Sequence, residues 1–98
     1  MKESKYQRTL VDKLYKLFPG CHIQRNDPRE NQGIPDITIF WRDKWAMLEV
    51  KESASAGVRP NQEYHVNHFN SMSFAAFIFP KNEEQVLDEL QRAFGSSR

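Results

Sequence analysis

The sequence predicts an α/β domain, a mixed sheet flanked by helices, with elements in the order α-β-β-β-α-β-α. Three observations carry this. Apolar residues recur at helical spacing near both ends of the chain. Two apolar runs of strand length, Ile37 to Trp41 and Trp45 to Val50, are joined by the short link Arg42-Asp43-Lys44. A third run, Ser73 to Phe79, is almost continuously apolar and lies between two helical segments, as a strand covered on both faces would. Ninety-eight residues, 39% of them hydrophobic, suffice for one domain, 1–98, with a single core and are too few for two.

In order, Leu10, Val11, Leu14, Leu17 and Phe18 form an inward stripe that Pro19-Gly20 stops, which predicts an amphipathic helix over 3–18. Continued toward the N-terminus, the stripe lands on Gln7 and Glu3, so polar groups occupy its first turns. Glu3 either sits favourably at the positive end of the helix dipole or borders a polar site as a further acid. Cys21 to Arg25 is a short strand. The polar stretch from Asn26 to Gly33 is longer than a tight turn needs, and Arg25, Asn26 and Arg29 are its candidates for reaching phosphates.

Beyond the hairpin, Glu52-Ser53-Ala54-Ser55-Ala56-Gly57 reads as a mobile loop. Arg59 and Pro60 introduce a helix over 60–71, on which Gln62, Val66 and Phe69 share a face. His65 and His68 stand three apart with no cysteine nearby, a poor zinc pattern, so exposed or DNA-facing rings are expected. Asn82, with Gln85 three positions on, predicts a capped final helix that turns Val86, Leu87, Leu90, Ala93 and Phe94 to the core and ends at Gly95. Ser96 to Arg98 is a tail.

Charge excludes little: a net +1 advertises no nucleic-acid binding by bulk, so any basic surface must be local. The single cysteine, Cys21, rules out an internal disulfide and a multi-cysteine zinc site. The first five residues lack an apolar signal-peptide region and no run approaches membrane-spanning length, so the expected location is cytoplasmic.

The hairpin carries the chemistry. Side chains alternate along a strand and cross-strand partners share a face. With the turn centred on Arg42-Asp43, Asp36 faces Glu49; centred on Asp43-Lys44, it faces Lys51. Either parity puts Asp36, Glu49 and Lys51 on one face and Ile37, Ile39, Trp41, Ala46, Leu48 and Val50 on the other, which reads as core. A symmetric three-residue turn would break the pattern. Carboxylate oxygens are the hard ligands that Mg²⁺ prefers, with waters and substrate phosphate completing its shell. An adjacent ammonium can stabilise a phosphoryl transition state or orient the attacking water. An isolated Glu-x-Lys is also an ordinary surface ion pair, so context decides.

That context resembles a known family. Gly33-Ile34-Pro35-Asp36, a gap of twelve residues, then Glu49-Val50-Lys51 looks like the PD-(D/E)xK nuclease signature. Glu3 and Gln7 on the first helix and Pro60-Asn61-Gln62 opening the second make the chain most similar to the stand-alone virus-type replication-repair nuclease (VRR-NUC) domains of phages, with kinship to Holliday junction resolvases. The resemblance covers nearly the whole chain. One departure is the Ser/Ala loop after Lys51, where many relatives place a threonine or glycine-rich turn.

The resemblance implies a restriction-endonuclease-like core and a metal-dependent, structure-specific DNA endonuclease in the host cytoplasm. In it Asp36, Glu49 and the Val50 carbonyl hold one or two Mg²⁺ or Mn²⁺ ions and Glu3 assists. Lys51 positions the nucleophile, Gln62 orients Lys51 or a phosphate, and Arg59 joins Arg25, Asn26 and Arg29 as a DNA contact. The expected partner is branched DNA, foremost a four-way junction, bound by a homodimer whose two-fold matches the junction's own. No nucleotide cofactor or membrane is expected. Trp41, Trp45, Phe74, Phe77 and Phe79 exceed what a small core needs, so they belong either to the dimer interface or to the core. The alternatives are a nicking or single-strand-specific nuclease, a DNA-binding module with a vestigial site, and a structural domain in which the acids are incidental.

Overall fold

The structure, a computed structural model, describes residues 2–95; the tail over 96–98 lies outside the described residues. Its elements are α1 (Glu3–Leu17), β1 (His22–Arg25), β2 (Ile37–Trp41), β3 (Lys44–Val50), α2 (Pro60–Met72), β4 (Phe74–Ile78) and α3 (Glu83–Phe94). The strands form one four-stranded mixed sheet in the order β1-β2-β3-β4, antiparallel except for the parallel pair β3 and β4. α2 is the crossover that a parallel neighbour requires. The order is the one expected, and every boundary lies within two residues.

Hairpin parity, which the alternation rule alone left open, is settled by register. Ile37 pairs with Leu48 and Trp41 with Lys44, so the loop is the two residues Arg42-Asp43. Such loops favour a positive φ at their first position, and Arg42 adopts φ 60 there, its guanidinium 3.9 Å from the Trp41 ring centre. One more step along the ladder sets Asp36 opposite Glu49. All six side chains assigned to the other face are buried.

That face meets α1 and α3 in the main core. Phe18, fully buried, sets its ring edge against Trp41 and Phe94, each at 5.2 Å between ring centres. Trp41 also donates from Nε1 to the Pro19 carbonyl at 2.9 Å, so this tryptophan is a core residue rather than an interface one. Tyr6 is a further inward residue on α1, donating its hydroxyl to Glu83 at 2.8 Å. Cys21 is buried, and burial raises its thiol pKa, as expected of an inert internal thiol.

Three local expectations are corrected. β4 is an edge strand whose Phe74, Ala76 and Phe77 remain half-exposed, because nothing pairs beyond it. Asn82 begins α3 without the side-chain cap: its amide accepts from the Phe79 N–H at 2.8 Å and donates to the Phe77 carbonyl at 3.0 Å, closing the turn after β4 instead. Ala93 is exposed, leaving Val86, Leu87, Leu90 and Phe94 as the buried stripe before Gly95 ends the helix with φ 68.

The opposite face of the sheet is covered only by α2, which lies over β3 and β4 through Val66 and through Phe69 against Trp45. The part of that face belonging to β1 and β2 stays open, with Phe40 43% exposed. No described helix is long and apolar enough to cross a membrane.

Candidate active site

The chemistry-bearing end of the hairpin is held by the segment before it. The Asn26 backbone N–H donates to the Asp36 carbonyl at 2.8 Å, extending the β1–β2 ladder by one step. Its side-chain amide donates to the Pro35 carbonyl and to the buried Thr38 hydroxyl, both at 2.9 Å. Asn26 therefore clamps the strand entry that carries Asp36. Asp36 is fixed from the other side too, its Oδ2 accepting from the Val50 N–H at 2.8 Å.

Glu49 and Lys51 lie on the same face and are almost completely buried, unusual for both residue types. They are linked through the second helix. Gln62 donates from Nε2 to Glu49 Oε2 at 3.1 Å and accepts at Oε1 from Lys51 Nζ at 3.0 Å. The Lys51 ammonium lies 3.6 Å from Glu49 Oε2 and donates to the Gly57 carbonyl at 3.0 Å. Gln62 Oε1 also accepts from the Arg59 N–H at 3.1 Å, the reciprocal half of a capping box; Arg59's own side chain has no acceptor to supply the other half. One amide thus ties the helix start to both charges.

Electrostatics separates these groups from a plain ion pair. Burial, joined by the negative charge of Asp36 and weakly by Glu3, pushes the Glu49 carboxyl up to about 7 against the pull of Lys51. Asp36 is also raised, by burial first, with the Val50 N–H bond and Lys51 opposing. Two carboxyls facing each other off water cannot both ionise cheaply, so the pair holds a proton toward neutral pH. Burial raises Glu3 as well, with Lys51 opposing and Asp36 and Glu52 adding to it.

Glu3, Asp36, Glu49, Lys51 and Gln62 line one open cavity of about 800 Å³, bordered also by Gly33 and Gly57. The structure thus brings all five side-chain positions together from α1, the hairpin and α2. Of the four DNA-contact candidates, Arg29 and Arg59 line the cavity, while Arg25 is exposed and Asn26 is engaged as described. Arg29 pairs with Asp27 through two side-chain bonds of 3.1 and 3.0 Å at an exposed position.

Two residues of the cavity, Gly33 and Asn61, belong to the sequence motifs but were given no role of their own from sequence. Asn61 lines it and leaves a buried Oδ1 without a partner. Gly33, at φ 88, packs so closely that an added Cβ would stand 2.7 Å from Asn61 Cγ and 2.9 Å from its backbone carbon. Their neighbours Pro35-Asp36 and Gln62 were the available signal. Gly33→Ala is therefore expected to destabilise the fold by about 1–3 kcal/mol, since it combines a left-handed backbone with a clash at the start of α2. Gly57→Ala, with nothing within 4 Å of its added Cβ, should leave the melting temperature nearly unchanged. Thermal denaturation of both variants checks this.

The donor set fits a hard divalent cation. Glu49 Oε1 is buried with no N–H or hydroxyl donor, beside the facing carboxyl of Asp36, with which it can only share a proton. A cation satisfies the orphan oxygen and relieves the repulsion at once. Among the described residues no three His, Cys, Asp or Glu side chains form a ready ligand cluster. Two carboxylates with water and substrate phosphate suit Mg²⁺ better than a closed protein cage does. Compared with protein-family models, curated proteins and solved structures, the chain matches none.

Proposed function

We propose that this chain is a metal-dependent, structure-specific DNA endonuclease with a PD-(D/E)xK site of the virus-type replication-repair kind on a restriction-endonuclease-like core. It hydrolyses phosphodiester bonds in branched DNA, four-way junctions foremost, and acts as a homodimer so that symmetric sites meet two strands. One observation supports this above the rest: the unpaired, buried Glu49 Oε1 facing Asp36, with Lys51 held alongside by Gln62. A fold tolerates a buried, self-repelling acid pair where a ligand takes up its charge.

Asp36, Glu49 and the Val50 carbonyl would hold Mg²⁺ or Mn²⁺, with Glu3 assisting. Such an ion neutralises phosphate charge and acidifies bound water. The chain's own contribution is orientation. Gln62 and the Gly57 carbonyl fix the Lys51 ammonium, which then orients the attacking water and meets the charge that develops on the phosphate. Glu49, raised to about 7 in the metal-free chain, would give up its proton as the ion is taken up. Arg29, Arg59 and Arg25 offer flanking phosphate contacts.

The test is cleavage of a synthetic four-way junction, a flap, a matched duplex and a single strand in Mg²⁺ and in Mn²⁺. Faster cutting of the branched substrates is expected. Equal rates on all four would sink structure specificity, and binding without cleavage in either metal would leave a DNA-binding module with a vestigial site.

A further inference from the structure

The open face of the sheet carries a connected path of aromatic rings that the site chemistry does not use. It starts at the sheet edge, where His22 and Phe40 lie 6.1 Å apart between ring centres. Phe40 is the cross-strand partner of Trp45, and the Trp45 ring stands edge-on to Phe69 of α2 at 6.1 Å. From Phe69 the path continues along the helix to His68 at 5.4 Å, and the His68 ring lies parallel to Tyr64 at 5.7 Å with only 6° between planes. His65 joins the same group, 5.3 Å from Tyr64.

The path is exposed at both ends and half-buried in the middle, at Trp45, His65 and Phe69. Tyr64 is 63% and Phe40 43% accessible, and His22 and His68 are exposed. It also reaches the cavity: His65 donates from Nδ1 to the Asn61 carbonyl at 2.8 Å, and Asn61 and Arg59 both line the cavity. All three histidines of the chain belong to the path, and the positive charge beside it comes from Arg59 of the cavity lining.

We propose that these rings form a base-stacking track for single-stranded DNA, laying the single-stranded arm of a flap-type branched substrate, which a four-way junction lacks, away from the cavity across α2 and the open sheet. This rests on the nuclease reading and sharpens it, because it names the arm the enzyme holds. Flat rings with accessible faces near basic side chains, here Arg59 and Arg29 of the cavity lining, are the means by which proteins hold single strands without reading sequence, every base having a π-face to offer. Nucleotides next to a phosphate in the cavity must leave along some surface, and the path comes within one residue of it, through the His65 bond to Asn61.

The test is binding by the full chain without divalent metal, using an oligothymidylate and a duplex of equal length. Trp45 supplies an intrinsic signal, since it is half-exposed while the other tryptophan, Trp41, is buried. Oligothymidylate is expected to quench tryptophan fluorescence. Phe40→Ala and Tyr64→Ala, both at exposed positions, should each weaken single-strand binding about tenfold, the scale of one lost stack, and leave duplex binding unchanged. Single-strand affinity unaltered in both variants overturns the track. So does sedimentation showing that these substitutions convert a dimer to monomers, since the rings would then face a second copy. A chain that binds single strands through these rings but cuts no DNA in Mg²⁺ or Mn²⁺ keeps the track and loses the nuclease reading; one that cuts DNA with the affinities unaltered does the reverse.

Discussion

Glu49→Gln is expected to abolish metal-dependent cleavage while raising the stability of the metal-free protein above neutral pH. Loss of one of two carboxylates removes several kcal/mol of charge stabilisation from the transition state, a fall of about a thousandfold or more. The stability effect follows from the direction of the pKa shift. The Glu49 carboxyl rises from 4.5 to about 7 in the fold, chiefly by burial. A folded-state pKa above the unfolded one means stability is fully present below 4.5, declines as pH rises, and is lowest beyond about 7. Glutamine removes that decline. Gln62 can still donate to its side-chain oxygen, so the variant gains on the order of 1 kcal/mol, or roughly 5 °C, at about pH 8 and little at about pH 4.5. Calorimetric melting across this range, beside a cleavage assay, checks both halves. A melting difference that does not widen with pH would contradict the account of the buried pair.

The second large effect has the opposite sign on stability. Lys51→Met should also lower cleavage by about a hundredfold or more, because it removes the cation beside the scissile phosphate, yet it should destabilise the fold by on the order of 2 kcal/mol. Among the described residues Lys51 is the only cation within salt-bridge distance of Glu49, and it is one anchor of the Gly57 loop. Without it the buried carboxyl loses its compensating charge and Gln62 Oε1 loses a donor. Lys51, by contrast, retains Gln62, Gly57 and the charge of Asp36 when Glu49 is neutralised. This asymmetry separates a catalytic cluster from a stabilising ion pair, in which removing either partner would be harmful. Chemical denaturation of the two single variants and the double variant reads it directly.

Much of this arrangement is legible in the residues before any coordinates. The alternation of Ile37, Ile39, Trp41 with Ala46, Leu48, Val50 fixes which face is core, and hence that Asp36, Glu49 and Lys51 share the other. The same reasoning carried along the helical stripes finds Glu3 and Gln62, because each is the polar end of an apolar row. Hairpin parity was not legible, since Arg42-Asp43-Lys44 contains no glycine or asparagine to mark the turn, and Arg42 takes the positive φ unaided.

The misses share a cause: they depend on partners distant in sequence. Asn82 has the composition of a helix cap, yet its amide is taken by the end of β4. The apolar run of β4 resembles a central strand, but no local signal says that the sheet ends there. Asn26 looks like a loop amide free to reach phosphate, and only its distance from Pro35 and Thr38 shows it as the clamp behind Asp36. The Gly33–Asn61 contact joins the loop before β2 to the first turn of α2, nearly thirty residues later, which no spacing rule detects. Of the aromatic residues noticed as an excess, Trp41 and Trp45 fall on opposite faces of the sheet, a division that strand register decides.

The central claim is that Asp36 and Glu49 form a cation site. Calorimetric titration of the purified chain with Mn²⁺ tests it most directly, because it needs neither substrate nor turnover. The account predicts binding at millimolar metal or below, proton release on binding near neutral pH as the pair gives up its shared proton, and loss of both in Asp36→Ala. Absence of binding at millimolar Mn²⁺, or binding that survives Asp36→Ala unchanged, would contradict it.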